Sequence, residues 1–214
     1  APFSINDIVP IANHLTEAGV VAVKADSPYK TIEELVAAAK EKGNLKASTN
    51  GNKASNHTAA QLLAKSAGFK YKAIPYGGTA DQLLALRQGE VDFTCAKVAD
   101  VAKLVKGDKP ELRVLAVFNT KRDPELPNVP TLGEKGLYPE WYGSARALVA
   151  PKGTKPEVIQ YYVEAFKKTM QDPAVIEAHK KAGMALDFKD NKELGDLIKA
   201  QDKFARDVVN DLYK

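Results

Sequence analysis

Short apolar segments alternate along this chain with helical segments that begin at a capping residue and end at a glycine. The first helical segment is typical, because Thr31 and Glu34 form a capping box and Gly43 follows the apolar stripe. The same pattern of capping residue, apolar helical stripe and short apolar segment recurs through residues 45–105 and again from residue 144 onward. Strands that alternate with helices in this way predict an α/β fold with a mainly parallel sheet.

The pattern also gives bounds for the individual elements. The predicted strands cover residues 45–48, 71–74, 91–94, 112–117, 144–150 and 184–188. The predicted helices include one capped by Ser55, one opened by a capping box of Thr79 and Gln82, and further helices over 98–105, 156–170, 174–182 and 194–212. The continuous apolar run at 112–117 favours a buried parallel strand.

The composition limits the classes of protein that these 214 residues can form. Hydrophobic residues make up 44% of the chain, enough for one large core or two small ones, and no apolar run approaches the roughly 18 residues of a membrane span. The net charge of +4 comes from scattered lysines, which disfavours a nucleic-acid surface and is compatible with a small anionic ligand. The single cysteine, Cys95, excludes an internal disulfide bond.

Two predicted strand-to-helix loops are suited to hold a ligand. Residues 49–57 follow the strand at 45–48, and residues 75–79 follow the strand at 71–74. In a parallel sheet both loops lie at the same edge, where glycines let the backbone approach a ligand and helix N-termini offer N–H donors to an anion. Each loop alone is better explained by turn and cap residues, but the pair on neighbouring units favours the binding of a carboxylate or phosphate.

Residues for catalysis, metal binding or nucleotide binding are hard to assemble from this sequence. There is no P-loop and no G-x-S-x-G motif, and His14, His57 and His179 lack the spacing of zinc ligands. Cys95 has no His and Asn partners in the usual order, so we expect a small buried thiol. We therefore predict no catalytic residue, no metal and no cofactor, which is typical of a binding protein.

Four single residues carry further expectations. His57 lies in the first turn of its predicted helix, where it either faces a ligand or packs inside the protein. His179 lies on a charged helix and is expected to be exposed. Trp141 and Tyr142 are expected to serve in core or hinge packing rather than to stack on a ligand.

A series of short motifs, in register over the whole chain, resembles the receptors of tripartite tricarboxylate transporters, the TctC or Bug family. The motifs are DIVPIA at 7–12, ADSPYKTIEEL at 25–35, GNKASNH at 51–57, IPYGG at 74–78, LALRQGEVD at 84–92, LRVLAV at 112–117, PNVPTLGEKG at 127–136, WYG at 141–143 and APKGT at 150–154. No single motif is decisive, but their order and spacing together identify the chain as a member of this family.

The resemblance implies a fold of the periplasmic-binding-protein type II class, in which two α/β lobes close by a hinge around a small carboxylate. Residues 1–23 would end lobe 1 and cross the hinge, residues 24–145 would form lobe 2, and residues 146–214 would return to lobe 1. Such receptors are periplasmic, are not enzymes and deliver their ligand to membrane permease subunits. The ligand-binding residues carried over from the family are Asn50, Gly51, Ser55, Asn56, His57, Tyr76, Gly77, Gly78 and Thr79.

The chain departs from the family pattern in two places. Lys53 and Ala54 stand where the family usually has Gly and Ser, so Lys53 either pairs with a second carboxylate or closes the nest of amides. Family members also carry a leader and a further segment before the DIVPIA region, so lobe 2 is expected to be complete and lobe 1 partial. The apolar stripes at 156–170 and 194–212 would then pack on lobe 2, on a separate fragment or on a second copy through self-association.

Two alternatives to transport stay open at this point. A receptor of this type could pass its ligand state to a membrane signalling partner, and the sequence does not separate that role from transport. An α/β enzyme that uses His57 as a base is the other alternative, although the sequence offers no nucleophile and acid to accompany it.

Overall fold

The computed structural model describes residues 4–184 and 186–213. The chain divides into two compact units. The central unit runs from Glu17 to Ser144, and the terminal unit combines the residues up to Thr16 with those from Ala145 onward. Among the residues described, no helix is both long and apolar enough to cross a membrane.

One sheet of six strands has a middle strand that runs against its neighbours. The strands are β1 (Ile8–Lys24), β2 (Lys46–Thr49), β3 (Lys72–Pro75), β4 (Phe93–Lys97), β5 (Leu112–Phe118) and β6 (Gly143–Pro151). In the order β3-β2-β4-β1-β5, β2 pairs in parallel with β3 and β4, β1 pairs antiparallel with β4 and β5, and β6 also pairs with β1.

The predicted mainly parallel sheet is therefore wrong at its centre. Strands β2, β3, β4 and β5 share one direction, but the long β1, which the helix–strand alternation does not predict, lies between β4 and β5. The run at 112–117 is a buried strand as predicted, yet its neighbour in the sheet is antiparallel. Strand β1 pairs with β4 and β5, which lie much later in the chain, so its orientation depends on long-range pairing and not on a single helical crossover.

The helices follow the predicted order, and the three glycines predicted to end the first three helices do so. The helices are α1 (Ile32–Lys42), α2 (Ser55–Ala67), α3 (Thr79–Gln88), α4 (Val98–Val101), α5 (Pro156–Met170), α6 (Pro173–Lys181), α7 (Asn191–Phe204) and α8 (Asn210–Leu212). Gly43, Gly68 and Gly89 end the first three with φ angles of 66°, 70° and 79°. The capping box of Thr31 and Glu34 at the start of α1 is confirmed.

Several predicted elements are wrong in extent, among them the strand predicted at 91–94, which lies at Phe93–Lys97. The helix at 98–105 ends at Val101, and the last helix is interrupted by a π-helical turn at Ala205–Val209. Ala185 of the strand predicted at 184–188 lies outside the described residues, and the remainder forms no strand. That region instead contributes an isolated bridge between Lys189 and Asn13, and the N–H of Asp187 also donates to the carbonyl of His14.

The core of the central unit is apolar on both sides of the sheet. Phe93, Phe118 and Cys95 are fully buried, so the prediction of a buried thiol is confirmed. Where β1 and β6 meet, a Cβ on Gly143 would overlap the backbone oxygen of Glu17. Only glycine fits this position, which explains the glycine of the WYG motif.

In the terminal unit, α5 packs on the first part of β1 and on the end of β6. Ile159 and Val163 are buried against Ile11 and Ala150. Tyr162, which the predicted stripe includes, is 47% exposed, so the buried face of α5 is narrower than predicted. The buried part of this stripe thus packs within the terminal unit, and the expected contact of the apolar stripes with a separate fragment or a second copy stays a prediction.

The same unit contains a histidine pair and an open apolar groove. The Nε2 atoms of His14 and His179 lie 2.8 Å apart, and His179 Nδ1 donates to the carbonyl of Val175. The predicted exposure of His179 is therefore wrong, because α6 turns this side chain toward β1. The groove of about 460 Å³ lies between β6 and α7 and is lined by Ile5, Ile8, Ala145, Ala147, Val149, Leu194, Leu197, Ile198, Gln201 and Asp202.

Candidate functional site

The structure brings the two glycine-rich loops to one edge of the central sheet. Strands β2 and β3 are parallel neighbours whose last residues, Thr49 and Pro75, lie opposite each other. The backbone N–H of Tyr76 donates to the carbonyl of Thr49 at 2.9 Å, which ties the start of the second loop to the start of the first. The predicted residues at 50–57 and 76–79 therefore lie side by side at the carboxyl ends of these strands.

The first loop, residues 50–57, satisfies several of its polar groups internally. The side-chain oxygen of Asn50 accepts from the backbone N–H of Asn56 at 3.2 Å. The backbone N–H of Lys53 donates to Nδ1 of His57 at 2.9 Å. Gly51 has a φ of 127°, and Lys53 has a φ of 57°, in the left-handed region that favours glycine. The amide of Lys53 is thus used within the loop, and the chain turns sharply at both residues.

The two positions that depart from the family pattern, Lys53 and Ala54, lie directly before the start of α2. Ala54 occupies the N-cap position and offers no side-chain cap, so the prediction of Ser55 as the cap is wrong by one residue. Position 53 takes the conformation that glycine adopts most easily, and position 54 is where a serine would cap the helix. The family residues Gly and Ser therefore suit the local geometry better than Lys53 and Ala54 do.

The second loop, residues 76–79, leaves its donors open. Gly78 is the N-cap of α3 without a side-chain cap, so the predicted box of Thr79 and Gln82 does not form. Within residues 4–184 and 186–213, no group accepts a hydrogen bond from the backbone N–H of Gly77, Gly78 or Thr79. The side chain of Tyr76, by contrast, is engaged, because its hydroxyl donates to Glu90 at 3.0 Å.

A buried relay of side chains connects the two helix starts. Asn56 is 1% exposed, and its Nδ2 donates to Oε1 of Gln82 on α3 at 2.9 Å. Lys97, 4% exposed at the end of β4, donates to Oδ1 of Asn56 at 2.6 Å and to the Ser55 hydroxyl at 3.3 Å. Gln82 in turn donates to the carbonyl of Cys95 at 2.6 Å. The side chain of Asn56 is therefore a structural link between α2, α3 and β4.

Lys97 and Gln82 are the site residues that sequence reasoning missed. The available signal was a lysine that directly follows the apolar strand FTCA at 93–96, at the same sheet edge as the two loops. Gln82 was instead assigned to a capping box, because it follows Thr79 by three residues. The position of Lys97 places a positive charge beneath the first turn of α2, where it adds to the field of the helix N-terminus.

His57 and Tyr142 support the loop from inside the protein. His57 is 7% exposed, and burial lowers the pKa of its imidazole, so the neutral ring accepts the Lys53 N–H. Tyr142 is 9% exposed and its hydroxyl donates to the carbonyl of Ser55 at 3.1 Å. Trp141 packs on the edge of the core, so both aromatic residues serve in packing as predicted.

The arrangement is suited to bind an anion and poorly suited to transform one. The open N–H groups at 77–79, the start of α2 and the Lys97 ammonium all favour a carboxylate. The thiol of Cys95 is fully buried, and burial raises its pKa to about 12, so it is not a nucleophile. Among the residues described, no cluster of three or more His, Cys, Asp or Glu side chains could hold a metal ion.

The chain has curated relatives that are similar in sequence over most of its length. A curated relative from Cupriavidus necator, a UPF0065 protein of the gbd 5′ region, is 37% identical over 170 residues, which cover 79% of this chain and 50% of that protein. The chain thus spans half the length of this relative.

Solved structures show the same fold. The crystal structure of a TctC solute-binding protein from Polaromonas has a TM-score of 0.84 at 27% identity, over 99% of this chain and 72% of that one. An R. palustris protein solved with adipate has a TM-score of 0.81 at 21% identity, over 94% of this chain and 68% of that one, and it shows the fold alone. The fold is thus the mixed α/β, open-sheet fold of type II periplasmic binding proteins.

The family assignment follows from a match that extends along almost the whole chain. The family model described as "Tripartite tricarboxylate transporter family receptor" (TctC) matches residues 1–212. The match includes β2, β3 and both glycine-rich loops that follow them. The chain therefore belongs to the TctC family of tripartite tricarboxylate transporter receptors.

Proposed function

We propose that this chain belongs to a periplasmic receptor that captures a small carboxylate at the two glycine-rich loops and delivers it to a tripartite tricarboxylate-type transporter. One observation carries the proposal: two helix starts without side-chain caps, α2 and α3, lie side by side on parallel strands that are hydrogen-bonded to each other. The N–H of Asn56 in α2 already donates to Asn50, whereas no described residue accepts from the N–H groups of Gly77, Gly78 and Thr79 at the start of α3. A carboxylate supplies several oxygens for these open donors.

The surroundings of the loops support an anionic guest in particular. Lys97 lies within hydrogen-bonding distance of Ser55, the first residue of α2. The open donors at Gly77 and Gly78 belong to the neighbouring loop. Adipate, found in the R. palustris structure of the same fold, belongs to the same chemical class. A dicarboxylate or tricarboxylate is the ligand we propose.

The proposal separates binding from chemistry. The enzyme alternative required His57 as a base, but its Nδ1 already accepts the Lys53 N–H, and burial lowers its pKa. We therefore infer a receptor without enzymatic activity. Purified protein incubated with bound acids should return them unchanged, and turnover of any of them would contradict this inference.

The sharpest test replaces Gly78 by aspartate. A Cβ at this position meets nothing within 4 Å, and its φ of 176° is open to any residue. The new carboxylate would cap α3 and repel an anionic ligand, so we expect the dissociation constant for the bound acid to rise at least about tenfold while the fold is retained. Gly78→Ala is the matched control and should bind nearly as well as the wild type.

Isothermal titration calorimetry against adipate, malate, citrate and the neutral adipamide gives the readout. Binding of at least one acid but not of adipamide, with loss in Gly78→Asp, would support the proposal. A wild-type protein that binds none of the acids, or a Gly78→Asp variant that binds as tightly as the wild type, would contradict it. Thermal melting confirms that both variants are folded.

Transport, sensing and self-association need measurements in addition to binding. Cell fractionation tests the periplasmic location, and ligand-dependent capture of permease subunits rather than a membrane sensor distinguishes transport from signalling.

We further propose that the terminal unit associates with a second copy through its apolar groove, where Val149 is 39% exposed. Sedimentation velocity should show concentration-dependent dimers that Val149→Lys removes, and a monomer at all concentrations would contradict this.

A further inference from the structure

A second recess in the central unit lies at the opposite end of the strands from the glycine-rich loops. It has a volume of about 350 Å³ and follows the first residues of β5, the edge strand that runs parallel to β2 and β3. Most of its wall is apolar: Val105, Pro110, Leu112, Val114, Leu126 and Val129. Several of these residues belong to the main core, so the recess has a rigid floor.

One cation of this recess has no partner among the residues that the structure describes. Arg113 lies on β5 opposite Val23 and lines the recess. Its Nη1 is buried and, among the residues described, has no hydrogen-bond partner. An arginine is charged at every physiological pH, and a buried donor without an acceptor is costly. The recess therefore combines an apolar wall with a cation that no described residue neutralises.

The other charges at the recess cancel each other. Lys106 and Glu125 both line it, and their side chains form an ion pair of 2.8 Å at its rim. Arg113 thus supplies the net charge of the lining. A guest with one negative charge balances it, whereas a second carboxylate would lie on the apolar wall.

We propose that this recess is a second ligand site, which binds a small monocarboxylate with an apolar body. The carboxylate pairs with the guanidinium of Arg113, a geometry that allows two parallel hydrogen bonds. The hydrocarbon part covers the apolar wall in the manner of an ordinary small-molecule pocket. This site is independent of the proposed function of the loops, because the two lie at opposite ends of the strands.

Titration of the chain with hexanoate, followed by ¹H–¹⁵N NMR, tests the proposal. Amide shifts should concentrate on residues 112–114 and 125–129, with a dissociation constant of about 1 mM or below for a ligand of this size. Acetate, which lacks the apolar body, and 1-hexanol, which lacks the charge, should each bind at least about fivefold more weakly. The Gly78→Asp variant should leave these shifts unchanged.

Arg113→Met should abolish the preference for hexanoate over 1-hexanol, and Arg113→Lys should retain part of it. Arg206→Met, which removes an arginine of the terminal unit, is the matched control and should bind as the wild type does. If Arg113→Met does not fold, the comparison of hexanoate, acetate and 1-hexanol on the wild type still tests the proposal. Equal binding of hexanoate and 1-hexanol, shifts confined to the glycine-rich loops, or no shifts at millimolar hexanoate would overturn the proposal.

Discussion

The two glycine-rich loops follow neighbouring parallel strands, yet they satisfy their backbone donors in different ways. In the first loop, the N–H groups of Lys53 and Asn56 are bonded to side chains of the same loop. In the second loop, no described residue accepts from the N–H groups of Gly77 and Gly78. The first loop is therefore built as a fixed wall and the second as the open side of the site.

The difference teaches which substitutions should affect stability and which should affect binding. Changes in the first loop break contacts that the folded protein makes with itself. Changes in the second loop, such as the Gly78→Asp test above, alter donors that only a ligand or water uses.

The largest effect is expected for Asn56→Ala. This substitution removes the acceptor of the buried Lys97 ammonium and the donor to Gln82, so we expect the free energy of unfolding to fall by about 3 kcal/mol. Thr79→Ala, in the second loop, should change it by less than about 0.5 kcal/mol. Chemical denaturation of both variants gives the values. Equal losses in the two loops would show that the first loop is no more a structural wall than the second.

A smaller effect of opposite sign is expected for Ala54→Ser. The serine would cap α2 at a position that has no side-chain cap, which should raise the free energy of unfolding by about 1 kcal/mol. Gly78→Ser at the equivalent position of α3 should raise the free energy of unfolding by only about a few tenths of a kcal/mol, since glycine is already tolerated at an N-cap. Denaturant midpoints at constant slope would measure the difference, and an unchanged midpoint for Ala54→Ser contradicts the assigned cap.

Lys53→Gly is expected to stabilise the first loop slightly. Lys53 has a φ of 57°, and relief of this left-handed conformation, reduced by the greater freedom of glycine in the unfolded chain, should leave a gain of about 0.5 kcal/mol. Asn52→Gly is the matched control, because the φ of Asn52 is not positive, and it should destabilise the protein. If both glycines destabilise to the same extent, the strain at position 53 is absent.

The weakest effect concerns the dependence of stability on pH. Burial lowers the pKa of His57 below its ordinary value of 6.5, so the unfolded chain binds this proton more readily than the folded one. The contribution of His57 to the free energy of unfolding is therefore fully present above pH 6.5, and it is lost as the pH falls toward the folded-state pKa. NMR titration of the ring reports that pKa directly, and the difference in unfolding free energy between wild type and His57→Gln separates it from His14. A ring that titrates above 6.5 would refute the buried neutral state.

The confirmed features of the fold are those that depend on neighbouring residues along the chain. Gly43, Gly68 and Gly89 end their helices in the left-handed region, as a helix followed by glycine predicts. The starts of α2 and α3 were less predictable, because a cap differs from the next residue only in its backbone angles. Ser55 and Thr79 are both good capping residues by type, yet each is the first helical residue.

The sequence by itself determined that two glycine-rich loops follow two consecutive strands, and that each leads into a helix. Only the tertiary structure decided that the long β1 runs antiparallel in the centre of the sheet, that Lys97 reaches under α2, and that Asn56 joins α2 to α3. The physical reason is the range of the interactions. Helix stops and turns are set by a few adjacent residues, whereas a buried ammonium and its acceptors come from segments about forty residues apart that meet only after folding.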